Sequence, residues 1–387
     1  MIWLIRGINS MDDASVTFFP VGNGDITLIH LTDTTDVVID CNVRDPASDP
    51  PCYDVHQHLL EHVKKADDVP FIDAFILTHA DQDHCRGFPD IFYTGDPSKY
   101  NDTHKKAGLI RINELWFTPR LFSDHEEKLC DDAEAFLKEA ERRIALYRSG
   151  NSKEMESGNR IRVIGYGDSA DLEGLDDIIT IPGEETRDFD GNTKNDCTFF
   201  IHAPFKSDTD AEDGERNNTS VVLQARFDID NEENACLIMF SGDADYSVWE
   251  RIINKSNEDA LAWDLFLAPH HCSWTFFNEH GVTEPHEKSI EMLSKGRTGA
   301  KIIASCKPIK DDDNNPPSYA AKQIYLDTVG EKNFYVTSET PNEKDPKPIV
   351  FIMSKNGPIL DDSGNKSTKV SATVATKGAV GNPRTYG

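Results

Sequence analysis

The stretch LTHADQDHCRGF, residues 77–88, sets four metal-type side chains, His79, Asp81, Asp83 and His84, within six residues of one another. It directly follows the apolar run IDAFILTH at 72–79, which reads as a buried strand whose C-terminal end delivers a polar loop. In such a loop alternate side chains can turn toward a common point. Mixed imidazole and carboxylate donors suit zinc, manganese or iron and leave open positions for water or substrate. A polar turn after a strand is common, but two histidines and two aspartates at this spacing are poorly explained by a turn alone.

Upstream, SVTFFPVGNGDITLIHL at 15–31 holds two β-rich runs divided at Gly22-Asn23-Gly24, a hairpin-like turn. DVVIDCN at 36–42 is a third short strand ending in Asp40, and YDVHQHLLEHVKKA at 53–66 has the apolar spacing of a helix. Downstream, LIRINELWFTP at 109–119 predicts a strand and the amphipathic stretch at 123–150 a helix that stops at Gly150. Residues 91–215 read as a middle insertion or cap, with a disordered loop around SDTDAEDGERNN at 207–218. Regular alternation then resumes. TSVVLQARF, ACLIMFSGD and WDLFLAPHH predict strands, the second ending in Asp243 and the third in His270 and His271. Strand, helix, strand and polar residues at strand tips are the pattern of an α/β sheet with its site on one edge.

The chain has 387 residues, enough for one large domain, which the sequence bounds at 1–357 with a flexible tail over 358–387; VSATVAT at 370–376 could add an edge strand. No window approaches a membrane span, and the N-terminal apolar run is too short for a signal peptide, so a cytoplasmic protein is expected. The eight cysteines form no CxxC pair and read as small buried hydrophobes in a reducing compartment, although Cys85 and Cys272 each follow a metal-type histidine. With 40 basic against 68 acidic residues the net charge is −28, which disfavours a DNA-binding scaffold. It weighs less against an enzyme whose cations supply positive charge locally.

The order of motifs resembles the metallo-β-lactamase superfamily, in the branch related to the soluble hydrolase domain of the competence protein ComEC. The matching pieces are VGNGD at 21–25, VVIDCN at 37–42, LTHADQDH at 77–84, NNTSVVL at 217–223, LIMFSGDAD at 237–245 and LAPHHCSW at 267–274. The resemblance implies an α/β fold, a four-layer αββα sandwich with the metallo-β-lactamase fold, and two divalent ions (zinc or manganese) between the sheets. His79 and Asp81 would hold one ion and Asp83 and His84 the other. Asp243 would bridge them, and one of His270 and His271, with His270 preferred, would complete the ligand set of the second ion. Asp40 is a natural acceptor for a ligating imidazole, with Asp25 in a similar part. Asp83 and Asp243 would carry the chemistry, with a hydroxide between the metals as nucleophile.

This sequence departs from the family pattern. Asp81 stands where a histidine is usual, which favours manganese somewhat over zinc. No histidine obviously supplies the intermediate ligand, and His202 in FFIHAPF is the candidate. Gly87-Phe88 replaces a Gly-Gly, and DNNPPS at 313–318 stands where a His-Pro often occurs. Asn218 and Ser220 match a recurrent polar position and read either as substrate contacts or as a turn before a strand. Asp45, His56, His58, His62, His104 and His125 sit in polar contexts where solvated roles are expected. The function expected is metal-dependent hydrolysis of a phosphate ester, with nucleic acid or a nucleotide as substrate and no membrane partner. Hydrolysis of a lactone, thioester or amide is the alternative, as is a regulatory protein that keeps the fold without catalysis.

Overall fold

The computed structural model describes residues 13–48, 52–123, 129–166, 172–209 and 216–362. The N-terminal run, His125, residues 210–215 of the acidic loop and the tail beyond 362, including VSATVAT, lie outside them.

Two sheets face each other. The first contains eleven strands, and along its main path Ile110–Phe117, Val69–Ile76, Asp36–Ile39, Thr27–His30, Ser15–Phe18 and Ile349–Ile352 are successive neighbours. The second contains seven, with Cys197–Ala203, Val222–Ile229, Glu232–Phe240, Trp263–Leu267, Gly296–Ala304 and Phe334–Val336 in that order. Side-chain alternation divides each strand between two cores. In Ser15–Phe18, Val16 and Phe18 point between the sheets, as do Val37 and Ile39, while Val38 points outward. From the opposite sheet Leu223, Ala225, Ile238, Phe240, Leu265 and Leu267 meet them. Met239, Phe266 and Ile302 turn the other way, onto Val248, Trp249, Met292 and Tyr325 of the helices Tyr246–Lys255, Glu287–Leu293 and Tyr319–Val329. Phe75 and Leu115 likewise meet Leu59 of Val55–His62 and Phe136 of Asp131–Arg148. Helix, sheet, sheet, helix is the expected four-layer αββα sandwich.

The hairpin reading of 15–31 is matched, since Ser15–Phe18 pairs antiparallel with Thr27–His30. Residues 91–215 correct the expectation in one respect: they do not stand apart as a cap. They supply Ile110–Phe117 and Arg160–Ile164 to the first sheet, Cys197–Ala203 to the second and Asp131–Arg148 to the outer layer. The Gly, Asp and Asn richness that suggested an insertion belongs to turns between integral strands. At the other end, Ile359–Leu360 pairs with Ile349–Ile352, so the sheet runs past the boundary drawn at 357. Among the described residues no helix is long and apolar enough to cross a membrane.

Candidate metal centre

Four strand ends meet at one edge of the sandwich. Asp40 follows Asp36–Ile39, His79 follows Val69–Ile76, Asp243 follows Glu232–Phe240, and His270 and His271 follow Trp263–Leu267. The first two strands are parallel neighbours, as are the last two, so each pair of ends points the same way. The short helix Gln82–Cys85 carries Asp83 and His84, and the hairpin turn brings in Asp25, whose N–H donates to the Asp83 carbonyl at 3.1 Å.

All four imidazoles turn Nε2 toward the buried Asp243, and its two oxygens divide them. Oδ1 faces His84 at 3.1 Å and His271 at 3.6 Å; Oδ2 faces His79 at 3.7 Å and His270 at 3.6 Å. Asp83 Oδ2 joins the first pair, 3.3 Å from His271 Nε2, and Asp81 Oδ2 joins the second, 3.8 Å from His79 Nε2. His84 and His271 approach Nε2 to Nε2 at 3.2 Å. Donors about 2.0–2.1 Å from a tetrahedral ion stand about 3.3–3.4 Å apart, so the spacings around His84 and His271 are those of a coordination shell. The group at His79 and His270 is slightly wider. His79 Nε2 and Asp243 Oδ1 are buried without an aligned hydrogen-bond partner, a costly state for polar atoms unless a ligand takes them up.

The far side of each ring is held. His84 Nδ1 meets Asp40 Oδ2 at 2.7 Å, and the same carboxylate accepts the Thr78 N–H and hydroxyl, each at 2.7 Å. His79 Nδ1 lies 3.1 Å from Thr78 Oγ1 and 3.3 Å from Ser220 Oγ, while His270 Nδ1 lies 3.1 Å from Thr275 Oγ1. His271 Nδ1 faces the Gly24 N–H at 3.2 Å and Asp25 Oδ1 at 3.8 Å. Asp25 also comes within 4.8 Å of the His84, Asp243 and His271 donors. Because it approaches His271 from the Nδ1 side, away from Asp83, it orients that ring. The oxygen partners of His84, His79 and His270 can each accept from Nδ1, which fixes the tautomer that leaves Nε2 free to bind, whereas His271 Nδ1 accepts from Gly24 and is oriented by that contact and by Asp25. Gly242 makes room for Asp243: at φ +46 a Cβ there would stand 2.8 Å from Ser220 Cβ.

Five carboxylates, Asp25, Asp40, Asp81, Asp83 and Asp243, converge on this edge, and the field they create governs the imidazoles. Burial opposes charge on His84, but Asp243 and Asp40 outweigh it and hold the ring well above its ordinary value. His271 is pushed up to about 9, burial being outweighed by Asp243 and Asp25. Against burial, His84 and His271 in turn hold Asp243 well below the usual carboxylate range, and the His271 contact does the same for Asp83. His79 and His270 are lowered, chiefly by burial, and Asp25 is raised by burial to about 6. An edge so rich in carboxylate and so drawn to protons is suited to divalent cations.

The residues expected at the site are gathered there, with corrections. His271, not His270, stands with Asp83 and His84; His270 stands with His79. His202 is remote, buried against Ser256 and Phe200. Ser220 is fully buried, where its hydroxyl accepts the Asp243 N–H at 3.1 Å. Asn218, in the orientation that satisfies its amide, donates to Asp245 at 3.0 and 3.2 Å, the residue that caps the helix Tyr246–Lys255. Cys85 and Cys272 point away, Cys85 toward Cys130 and the Asp81 carbonyl and Cys272 toward the Ser318 carbonyl. His58 is half-buried against Phe19 and His62 instead of solvated. The DNNPPS segment buttresses the histidine turn: Asn315 Oδ1 accepts from the Ser273 hydroxyl at 2.9 Å and the Trp274 N–H at 2.8 Å.

Sequence reading passed over Thr78, Thr275 and Arg216. Thr78 and Thr275 each lie within five residues of a metal-type histidine, a cue that was available. Arg216, whose Nη1 lies 2.8 Å from Asp81 Oδ1, carries no local signal. It occupies one Asp81 oxygen and leaves Oδ2 to face His79.

Beside Asp83 a cleft of about 350 Å³ opens, lined by Val21, Asn23, Arg44, Gln82, Asp83, Arg86 and Lys307. No family model and no curated relative match the chain. Among solved structures it is similar to a protein from Parabacteroides distasonis ATCC 8503 described as a metal-dependent hydrolase. Identity there is 10% over 84% of this chain and 92% of that one, with a TM-score of 0.32. It is also similar to a long form RNase Z from yeast, with 11% identity over 84% of this chain, 45% of that one and a TM-score of 0.37. Neither likeness is close enough to assign the chain to a family.

Proposed function

We propose that this protein is a two-metal hydrolase of phosphate esters, most suited to the phosphodiesters of nucleic acids or nucleotides. The observation that carries the reading is the division of the Asp243 carboxylate, one oxygen facing His84 and His271 and the other His79 and His270. Asp83, His84 and His271 would hold one divalent ion, His79, Asp81 and His270 the other, and Asp243 would be shared. When bound, zinc or manganese ions supply Lewis acidity: they make water a nucleophile near neutral pH and stabilise charge on attacking and leaving oxygens.

The chain's own residues do the rest. Asp40, Thr78, Ser220, Thr275 and Asp25 keep the imidazoles aimed before substrate arrives, so no reorganisation is needed during reaction. Asp83, ionised through its His271 contact, also lines the cleft, which places a metal-type carboxylate where a bound substrate would sit. A phosphate substrate is favoured over a lactone or thioester because Arg44, Arg86 and Lys307 line the same cleft.

The test is metal analysis beside turnover. Wild-type protein reconstituted with manganese or zinc should bind two ions and cleave a diester reporter and single-stranded DNA. Asp243→Ala should lose metal at both positions together with activity. Rapid turnover of a lactone and none of any diester would overturn the reading, and fewer than one ion per chain would favour the non-catalytic alternative.

A further inference from the structure

We propose that Arg44, Arg86 and Lys307 form a phosphate subsite that grips the phosphate next to the scissile one, so that the preferred substrate carries two phosphates in sequence. This rests on the phosphodiesterase reading and adds to it a statement of substrate class.

The cations come from separate parts of the chain, brought together by backbone pairing. Val43 N–H donates to the Arg86 carbonyl at 2.9 Å, which holds the chain entering Arg44 beside Arg86. Lys307 N–H donates to Asn23 Oδ1 at 3.0 Å, and Asn23 donates to the Pro316 carbonyl at 3.0 Å, which ties Lys307 to the hairpin turn. Arg44 and Lys307 flank Gly22: a Cβ built there would lie 3.7 Å from both Arg44 Nη2 and Lys307 Cγ.

Among the described residues, none of the three cations has a carboxylate within 4 Å or a side-chain hydrogen bond, and Arg44 Nε is buried without a partner. In a chain with 68 acidic residues against 40 basic ones, three unpaired cations in one cleft are a marked local reversal of charge. Guanidinium groups match phosphate oxygens in pairs, and an ammonium adds a point charge. The cleft is lined by Asp83 of the metal group together with Arg44, Arg86 and Lys307. With Asp83 common to both, a substrate whose diester phosphate sits at the metals has these cations in the same cleft to receive the adjoining phosphate. The subsite also answers the long-range repulsion that the acidic body exerts on a polyanion, because it acts at contact distance, inside the screening length.

The experiment compares wild type, Arg44→Gln/Lys307→Gln and Arg86→Gln with Lys332→Gln/Lys344→Gln, which removes two exposed charges elsewhere. Each metal-loaded protein is assayed on a single-phosphate diester reporter and on a thymidine dinucleotide bearing a terminal phosphate. Calorimetry measures binding of thymidine 3′,5′-bisphosphate to the same proteins, and thermal melting confirms that each is folded. Loss of one charge-assisted contact weakens binding by about tenfold or more. Both subsite variants should raise KM for the phosphorylated dinucleotide and Kd for the bisphosphate by at least that factor. The effect on the single-phosphate reporter should be at least tenfold smaller, and the distant control should match wild type. Equal bisphosphate binding by wild type and subsite variants, or equal losses on both substrates, would overturn the subsite while leaving the hydrolase reading intact. Weakened bisphosphate binding with no diester turnover by wild type would support the subsite and overturn the hydrolase reading.

Discussion

Replacing Asp40 by asparagine tests whether the two donor groups are separate metal sites. Asp40 sits at φ 59, a left-handed conformation that asparagine tolerates, so the backbone should survive. Its carboxylate accepts from Thr78 N–H, Thr78 hydroxyl and His84 Nδ1, each at 2.7 Å. Asparagine keeps one acceptor oxygen, which the Thr78 N–H can retain, but offers an NH₂ group to His84. The imidazole would then accept at Nδ1 and carry its proton on Nε2, the wrong tautomer for metal. Losses of this kind weaken metal affinity by about 10–100-fold, or roughly 1.4–2.7 kcal/mol. Because His84 belongs with Asp83 and His271, the loss should fall on one ion of the two. Competition against a chelator, followed with manganese or zinc, should show one wild-type-like step and one weakened step. Two steps weakened equally, or neither, would refute the division of the site at Asp243.

Arg216→Gln should weaken the other step by about tenfold, since Asp81 loses the 2.8 Å contact that leaves Oδ2 facing His79; the same chelator titration reads it. Gly242→Ala should destabilise the fold by about 1–3 kcal/mol in urea unfolding, because its Cβ would stand 2.8 Å from Ser220 Cβ at a positive φ. His202, lowered to about 3 by burial and Arg226, binds its proton more readily in the unfolded chain. Its contribution to stability is therefore complete above the ordinary imidazole value near 6.5 and lost as pH falls toward 3. Between pH 7.5 and 5 that loss is about 2 kcal/mol, and His202→Gln, measured by urea unfolding with chelator present, should lose about that much less than wild type over the same interval.

Local sequence foretold those parts of the site whose geometry follows from strand ends. An apolar strand stops, a polar loop begins, and His79, Asp81, Asp83, His84 and Asp243 all sit where that rule puts them. Asp40 was legible for the same reason. Ser220 stayed open between two readings, because a hydroxyl before a strand looks alike whether it faces solvent or, as here, accepts from the Asp243 N–H. Arg216 was invisible: its partner Asp81 lies 135 residues away, and nothing near it in the sequence marks the pairing. The middle segment was misjudged through composition. Gly, Asp and Asn fill the turns around Arg160–Ile164 and Cys197–Ala203, yet those strands are integral to the two sheets, and only tertiary pairing reveals it.

The choice between His270 and His271 was undecidable from sequence for a reason the backbone makes plain. In an extended strand adjacent side chains point to opposite faces, so one histidine of the pair would be expected to miss the metals. Here His270, His271 and Cys272 have φ values of 47, 52 and 65, three successive non-glycine residues in the left-handed region. Such a turn costs roughly 1–2 kcal/mol per residue and is sustained only when its surroundings over-determine it. Asn315 does so by accepting from Ser273 and Trp274. The result is that two neighbouring rings, 78° apart in plane, reach the two oxygens of one carboxylate at the same 3.6 Å. One dipeptide thereby faces both oxygens of Asp243, and strain held at such a turn is what the proposed two-metal reading requires of residues shaped for a ligand instead of for stability.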